Sequence, residues 1–225
     1  MQYDINFFNQ VVTEIQKYYP YMRVAYKDES PFMKTLGKIL FFNKSFMNDY
    51  TTTIGSTVYF PTRKFVEQKP INAAIVILHE MMHIDQAKKY SKYLFSFLYL
   101  FPQISFLIFL PLLFLSWKIF LPLLILSALP IPAYFRSYFE QQAYSVSLYS
   151  VYKLAKLGGL NIDLNHNANF YISQFKGPYY YFMNPFNSVD EYFKNTVQKI
   201  YDGGKPFDHQ VFNIVDSILN NIFKN

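Results

Sequence analysis

Cysteine is absent from the 225 residues of this chain. Disulfide bonds and thiolate–metal bonds are therefore excluded, and any metal ion must be held by His, Asp or Glu. Glycine is sparse, with 7 residues, and no internal repeat is visible. The net charge of +6 is modest and the basic residues form no long tract, so we do not expect nucleic-acid binding.

Charge is almost missing from one long stretch of the chain. Residues 93–117 carry no charged side chain, Lys118 follows, and residues 119–135 are again uncharged. Each segment is near the length that crosses a bilayer, the second at the lower limit. We therefore predict the N-terminal part of one domain over 1–92, a hydrophobic helical hairpin over 93–135, and the C-terminal helical part of the domain over 136–225.

The stretch "AAIVILHEMMH", just before this segment, contains the pattern H-E-x-x-H at His79, Glu80 and His83. Residues four apart share one face of a helix, so both imidazoles can reach a single ion. Glu80 is rotated by about 100° from His79, which places its carboxylate beside the ion as a general base. Chance is the competing explanation, but a buried helix with these polar groups and no ion would be costly. The motif predicts a Zn²⁺ site.

A third protein ligand must come from elsewhere in the chain. Four residues are candidates: Asp85, Glu140, His166 and His209. Asp85 lies two positions after His83 and so points away from the ligand face of the helix. The two distant histidines lie in polar, turn-like surroundings, either as surface residues or as groups that contact the substrate or the transition state.

Glu140 differs from the other candidates because small residues share its face of a predicted helix. Ala143 and Ser147 on that face allow close approach of a second helix, where a lone glutamate would be unfavourable. Ligation of the ion by Glu140, with His79 and His83, removes that difficulty. The competing explanation is a surface carboxylate paired with Arg136.

"HEMMH" followed at a distance by "EQQAY", residues 140–144, resembles the two motifs of the gluzincin metalloproteases. With two hydrophobic segments between the motifs, the layout is similar to the membrane gluzincins of the CaaX-prenyl-protease and heat-shock membrane protease group. "HIDQ" is also similar to small stand-alone zincin domains of phage and bacterial genomes. The resemblance covers residues 79–144, under a third of the chain, and implies that His79, His83 and Glu140 are ligands and Glu80 the general base.

The sequence departs from that group at two places. Residues 1–78 contain no counterpart of its upstream membrane helices, and Tyr144 stands where its second motif has aspartate. Tyr144 is therefore a candidate to pack or hydrogen-bond near His79.

The fold expected from these patterns is α+β and zincin-like, with a small antiparallel sheet, several helices and the inserted hairpin. "KILFFN" and "STVYFP" are rich in β-forming residues and predict strands. In zincins the strand before the zinc helix is an edge strand that pairs with an extended peptide, so Tyr59 in "STVYFP" is a candidate substrate contact. The alternative is an ordinary strand of the sheet.

The charges around the apolar segment predict its orientation. Lys88, Lys89, Lys92 and Arg136 flank its base, which places the zinc domain on the cytoplasmic side of a membrane. Aromatic residues lie where interfacial anchors are expected: Tyr93, Tyr99, Trp117, Tyr134 and Tyr138. The alternatives are a soluble core hairpin and a hairpin that docks into an apolar groove of a larger assembly, such as a virion.

The function expected from the sequence is that of a zinc-dependent endopeptidase acting at or near a membrane, with a polypeptide substrate. A structural or membrane-penetrating protein, such as a virion component, that keeps the zincin scaffold without cleavage is the alternative. Metal-assisted hydrolysis of a non-peptide bond is a third possibility that uses the same ligands.

Overall fold

The structure, a computed structural model, describes residues 3–41, 43, 45–102, 104, 109–111, 114, 116–128, 132–159, 161–178 and 182–224. The chain divides into two compact units. The first comprises residues 1–84, 149–162 and 207–225, and the second residues 85–148 and 163–206. Mostly helical content with a small sheet confirms the α+β class. The predicted three regions, 1–92, 93–135 and 136–225, stay a prediction.

The first unit opens with helix α1 and contains the sheet. Its elements up to residue 68 are α1 (Ile5–Tyr18), β1 (Arg23–Tyr26), α2 (Pro31–Ile39), α3 (Ser45–Asn48), β2 (Thr52–Ile54), β3 (Thr57–Phe60) and α4 (Arg63–Gln68). Asp4 caps α1, because its carboxylate accepts from the backbone N–H groups of Asn6 and Phe7. The buried ring of Phe8 lies edge-on to Phe60 of β3, 5.6 Å between centroids, and joins helix and sheet in one core.

The sheet has the strand order β1-β3-β2 and is mixed. Thr52 lies opposite Tyr59 in an antiparallel pair, whereas Arg23 lies opposite Thr57 in a parallel pair. The prediction of an antiparallel sheet is therefore wrong for the β1–β3 pair. Residues 27–56, with two helices and β2 among them, are a connection long enough to return the chain in the same direction.

Two local expectations are also wrong. "KILFFN" does not begin a strand, because its first two residues belong to helix α2, which ends at Ile39. Ser30 caps this helix and Pro31 occupies its first turn. The predicted role of β3 as an edge strand fails because β3 has a partner on each side. Both rows of its backbone hydrogen-bonding groups are used within the sheet.

Two long helices, α5 (Pro70–Tyr90) and α8 (Tyr134–Gly158), each contribute residues to both units. The second unit also contains α6 (Lys92–Leu100), α7 (Trp117–Ala128), α9 (Leu164–Lys176) and α10 (Ser188–Tyr201), and the first unit ends with α11 (Val211–Lys224). Phe175 and Phe193 join α9 to α10 with their centroids 5.4 Å apart. In the first unit α11 packs against α1 through a buried face that includes Val215 and Ile218.

The apolar segment is described only in part. Helices α6 and α7 belong to it, and several residues between and after them lie outside the described residues. Among the described residues, none of the helices combines the length and the apolar character that crossing a membrane requires. The hairpin stays a prediction. Large apolar side chains are nevertheless exposed on both helices, among them Leu94, Phe97, Trp117 and Ile125.

Candidate metal centre

Helix α5 carries the H-E-x-x-H residues in apolar surroundings. Ile77, Leu78 and Met81 are fully buried around them. His79 and His83, one helical turn apart, are themselves buried, and their rings lie 5.0 Å apart between centroids at an angle of 76°. The predicted helix is confirmed, and it brings both imidazoles to one face, as a spacing of four requires.

Glu140 lies on helix α8 and is 1% exposed. One ligand atom of Glu140, one of His79 and one of His83 lie within 4.8 Å of one another. The structure therefore brings Glu140 to the two histidines, although 57 positions separate it from His83 in the sequence. This buried cluster could hold a metal ion.

The chemistry of the three donors fits a divalent cation. Two neutral imidazoles and one carboxylate form the ligand set that catalytic zinc sites of the His₂Glu type use. A buried carboxylate is costly without a compensating positive charge, and an ion at this position supplies it. The same donors also suit other first-row metals, because imidazole is a good ligand for several of them.

Glu80 is held by a residue of the sheet. The Thr53 hydroxyl, on β2, donates a hydrogen bond of 2.7 Å to Oε2 of Glu80. A side chain fixed at one carboxylate oxygen presents the other oxygen in a defined direction. Glu80 is buried beside His79 on the same helix, so its carboxylate is kept close to the ligand face without being part of the ligand set.

Lys27 is a buried basic residue in the same unit as Glu80. Its side chain is fully buried, its Nζ donates to the Phe46 carbonyl at 2.5 Å and it lies 4.1 Å from the centroid of the Phe46 ring. Burial lowers the pKa of Lys27 to about 8, and the negative charge of Glu80 acts in the opposite direction. The ammonium group is therefore mostly charged at neutral pH and interacts electrostatically with Glu80.

Hydrogen bonds also surround Glu140 and the helix that carries it. The Tyr99 hydroxyl, on α6, donates to Oε1 of Glu140. Gln86, near the end of α5, donates through Nε2 to the Phe139 carbonyl at 3.1 Å and to Oε1 of Gln142 at 2.9 Å. These bonds join α5 and α6 to α8 within one turn of Glu140.

Two of the predicted supporting residues pack with other elements. The Tyr144 ring lies 4.4 Å from that of Tyr171 and 5.7 Å from that of Phe175, both on α9. Tyr59 lies in the central strand β3, opposite Ala25 and Thr52. Their suggested roles at the substrate or near His79 stay predictions.

The two remaining histidines lie outside the three-residue cluster. His166 is exposed on α9. His209 precedes α11, and its Nδ1 accepts a hydrogen bond of 3.2 Å from the backbone N–H of Val211. Their suggested contacts with a substrate or a transition state stay predictions.

No sequence pattern marks Thr53, Lys27 or the hydroxyl of Tyr99 as part of the site. Thr53 and Lys27 are separated from Glu80 by 27 and 53 positions, and neither belongs to a motif. Tyr99 was expected as an interfacial anchor because of its apolar neighbours. The contacts of Thr53 and Lys27 depend on the packing of the sheet within the first unit, and those of Tyr99 on the packing of α6 against α8 within the second. No local pattern encodes either packing.

Comparisons of this chain with protein-family models, with curated proteins and with solved structures found no match.

Proposed function

We propose that this chain is a zinc-dependent endopeptidase of the gluzincin type. The observation that carries the proposal is the buried cluster of His79, His83 and Glu140, with Glu80 beside it on the same helix. In the proposed enzyme these three residues hold Zn²⁺, as in sites with two histidines and one glutamate. When bound there, zinc supplies Lewis-acid polarisation of a peptide carbonyl and makes a water molecule more acidic.

In this proposal Glu80 acts first as the general base and then as the general acid. Its carboxylate accepts the proton of the water that attacks the peptide carbonyl, and then donates that proton to the leaving amine nitrogen. The hydrogen bond from Thr53 supports this part because it orients the carboxylate before the substrate arrives. The buried apolar residues of α5 keep bulk water away and so strengthen the electrostatic interactions of the site.

The substrate is proposed to be an extended peptide that pairs with β2. Of the described strands, β2 lies at one edge of the sheet and β3 in its centre. β2 also carries Thr53, which contacts Glu80, so a peptide added along this strand would lie close to the proposed base. Pairing of backbone groups at a sheet edge is a common mode of peptide recognition.

We further propose that the enzyme works at a membrane surface, with the zinc-binding residues on the cytoplasmic side. The exposed apolar side chains of α6 and α7 support this, together with the exposed lysines 88, 89 and 92 beside them. Aromatic and aliphatic side chains next to basic residues are typical of segments that bind anionic lipid surfaces.

A replacement of Glu80 by Gln tests the peptidase proposal. Gln keeps the shape of the side chain but cannot accept the proton, so we expect cleavage of a mixed peptide library to fall by at least about 100-fold. Zinc content should stay at the wild-type level, since Glu80 is not a proposed ligand. Glu67→Gln, an exposed glutamate on α4, is the matched control and should cleave normally. Wild-type cleavage by Glu80→Gln, or purified wild-type protein without zinc, would contradict the proposal.

The second candidate function is a structural or membrane-penetrating protein, such as a virion component, that keeps this fold without cleavage. The large exposed apolar side chains of α6 and α7 favour it, because such surfaces mark interaction sites. The two functions differ in one result. Glu80→Gln would keep the biological activity of a structural protein and abolish that of a peptidase.

A further inference from the structure

Tyr99 connects the apolar segment to the candidate metal centre. Helix α6 has no buried residue, and Leu94 and Phe97 on it are exposed. The hydroxyl of Tyr99, on the same helix, nevertheless donates a hydrogen bond to Oε1 of Glu140, which is 1% exposed. A side chain of an apolar helix without a fully buried residue thus reaches the most deeply buried of the three cluster residues.

Contacts with helix α8 hold Tyr99 in this place. Arg136, one turn before Glu140, donates through Nε to the backbone carbonyl of Tyr99 at 2.9 Å. Its guanidinium carbon also lies 5.2 Å from the centroid of the Tyr99 ring, within the range of a cation–π interaction. Phe95 adds an apolar contact, with its ring centroid 5.0 Å from that of Phe139. The backbone and the ring of Tyr99 are therefore both fixed against the helix that carries Glu140.

We propose that Tyr99 is a positioning residue for Glu140, and that helix α6 thereby contributes to metal affinity. This inference rests on the proposed function, because it assumes that Glu140 is a metal ligand. A glutamate side chain has rotatable bonds, and a hydrogen bond to one oxygen restricts the orientations of the carboxylate before the metal binds. Hydrogen-bond partners of ligating residues typically contribute 10- to 100-fold to metal affinity. Tyr99 neither ligates the ion nor touches the substrate in this proposal.

Tyr99→Phe removes the hydroxyl and keeps the ring. We expect its affinity for Zn²⁺, measured by competition with a chelator, to be about 10- to 100-fold weaker than that of the wild type. Tyr93→Phe is the matched control, since Tyr93 lies on the same helix and is 80% exposed, and it should bind Zn²⁺ normally. With Co²⁺ in place of Zn²⁺, the visible absorption spectrum should change in Tyr99→Phe and stay the same in Tyr93→Phe, because the spectrum reports the ligand geometry.

Arg136→Lys is a second variant, which keeps the positive charge and the Tyr99 hydroxyl but loses the Nε–H donor and the planar guanidinium group. It should weaken Zn²⁺ binding in the same direction, by a smaller factor. Wild-type affinity and an unchanged Co²⁺ spectrum in both variants would overturn the inference while leaving the peptidase proposal intact. A wild-type protein that binds no Zn²⁺ would overturn the proposed function itself, so the two failures are distinguishable.

Discussion

Thr53 donates a hydrogen bond of 2.7 Å to the carboxylate of Glu80, from a strand at the edge of the sheet to the helix that carries the two histidines. The bond joins residues 27 positions apart. It is a direct contact between the sheet and the proposed base. A bond between a neutral donor and a charged acceptor is worth more than an ordinary one, on the order of 1.5–3 kcal/mol.

Thr53→Val removes this hydroxyl at nearly constant volume. In the proposed enzyme, Glu80 then samples more orientations, so we expect kcat to fall by about 10-fold, with KM and zinc content unchanged. Thr52→Val is the control because adjacent residues of a strand point to opposite faces. Steady-state kinetics on one cleaved peptide measure the effect. An unchanged kcat in Thr53→Val would show that the hydrogen bond does not position the base.

Zinc should stabilise the folded protein, because a ligand that binds only the native state adds to the free energy of unfolding. At a free zinc concentration 100 times the Kd, the free energy of unfolding increases by about 2.7 kcal/mol. This raises Tm by roughly 5–10 °C for a chain of this size. Glu140→Gln removes the charged ligand and should abolish most of this shift. Glu191→Gln, an exposed glutamate on α10, should keep it. Thermal unfolding with zinc and with a chelator tests both, and an equal shift in Glu140→Gln would exclude Glu140 as a ligand.

The lowered pKa of the buried Lys27 should make the free energy of unfolding depend on pH. Below about pH 8 this lysine is charged in the folded and the unfolded chain, and burial of the charge costs stability. Between about pH 8 and the ordinary lysine pKa of 10.5, the folded chain has released the proton and the unfolded chain has kept it. Because the unfolded state binds more protons there, the free energy of unfolding rises with pH across this window.

Urea unfolding at pH 7.5 and pH 9.5 measures that rise. The urea midpoint of the wild type should rise more between pH 7.5 and pH 9.5 than that of Lys27→Met, because the variant has no buried lysine to lose its proton. Lys34→Met, at an exposed position of α2, should behave like the wild type. The same pH dependence in Lys27→Met and wild type would mean that the buried lysine is not its source.

Membrane association is tested with vesicles. The wild type should co-sediment with phosphatidylcholine vesicles that contain phosphatidylserine, and more weakly without the anionic lipid, because lysines 88, 89 and 92 are exposed beside the apolar helices. Tyr93→Ser combined with Trp117→Ser removes two exposed aromatic rings, 80% and 62% exposed, and should weaken binding at least about 10-fold. Tyr21→Ser, which removes an equally exposed tyrosine in the first unit, is the control. Failure of the wild type to sediment would favour an apolar protein surface as the partner.

Local signals predicted the helices well and the sheet less well. The H-E-x-x-H pattern predicted α5 with both histidines on one face, and Asp4 is a residue of the type that caps a helix such as α1. Ser188 and Glu191 have the spacing of a capping box, but the helix begins at Ser188 itself, with Asn187 as a cap that makes no side-chain hydrogen bond. The direction and order of the strands were not predictable, since strand pairing depends on contacts between distant segments.

The sequence by itself determined the chemistry that is available: no thiols, two imidazoles and a glutamate on one helical face, and an apolar segment placed before a second glutamate. These features follow from residue type and from the fixed geometry of a helical turn, which residues four apart share in any context. Tertiary structure alone decided that Glu140 meets the two histidines, that Thr53 holds Glu80 and that Tyr99 bonds to Glu140. Each of these contacts joins elements far apart in the chain, and their meeting depends on the packing of whole helices and strands, which no short stretch of sequence specifies.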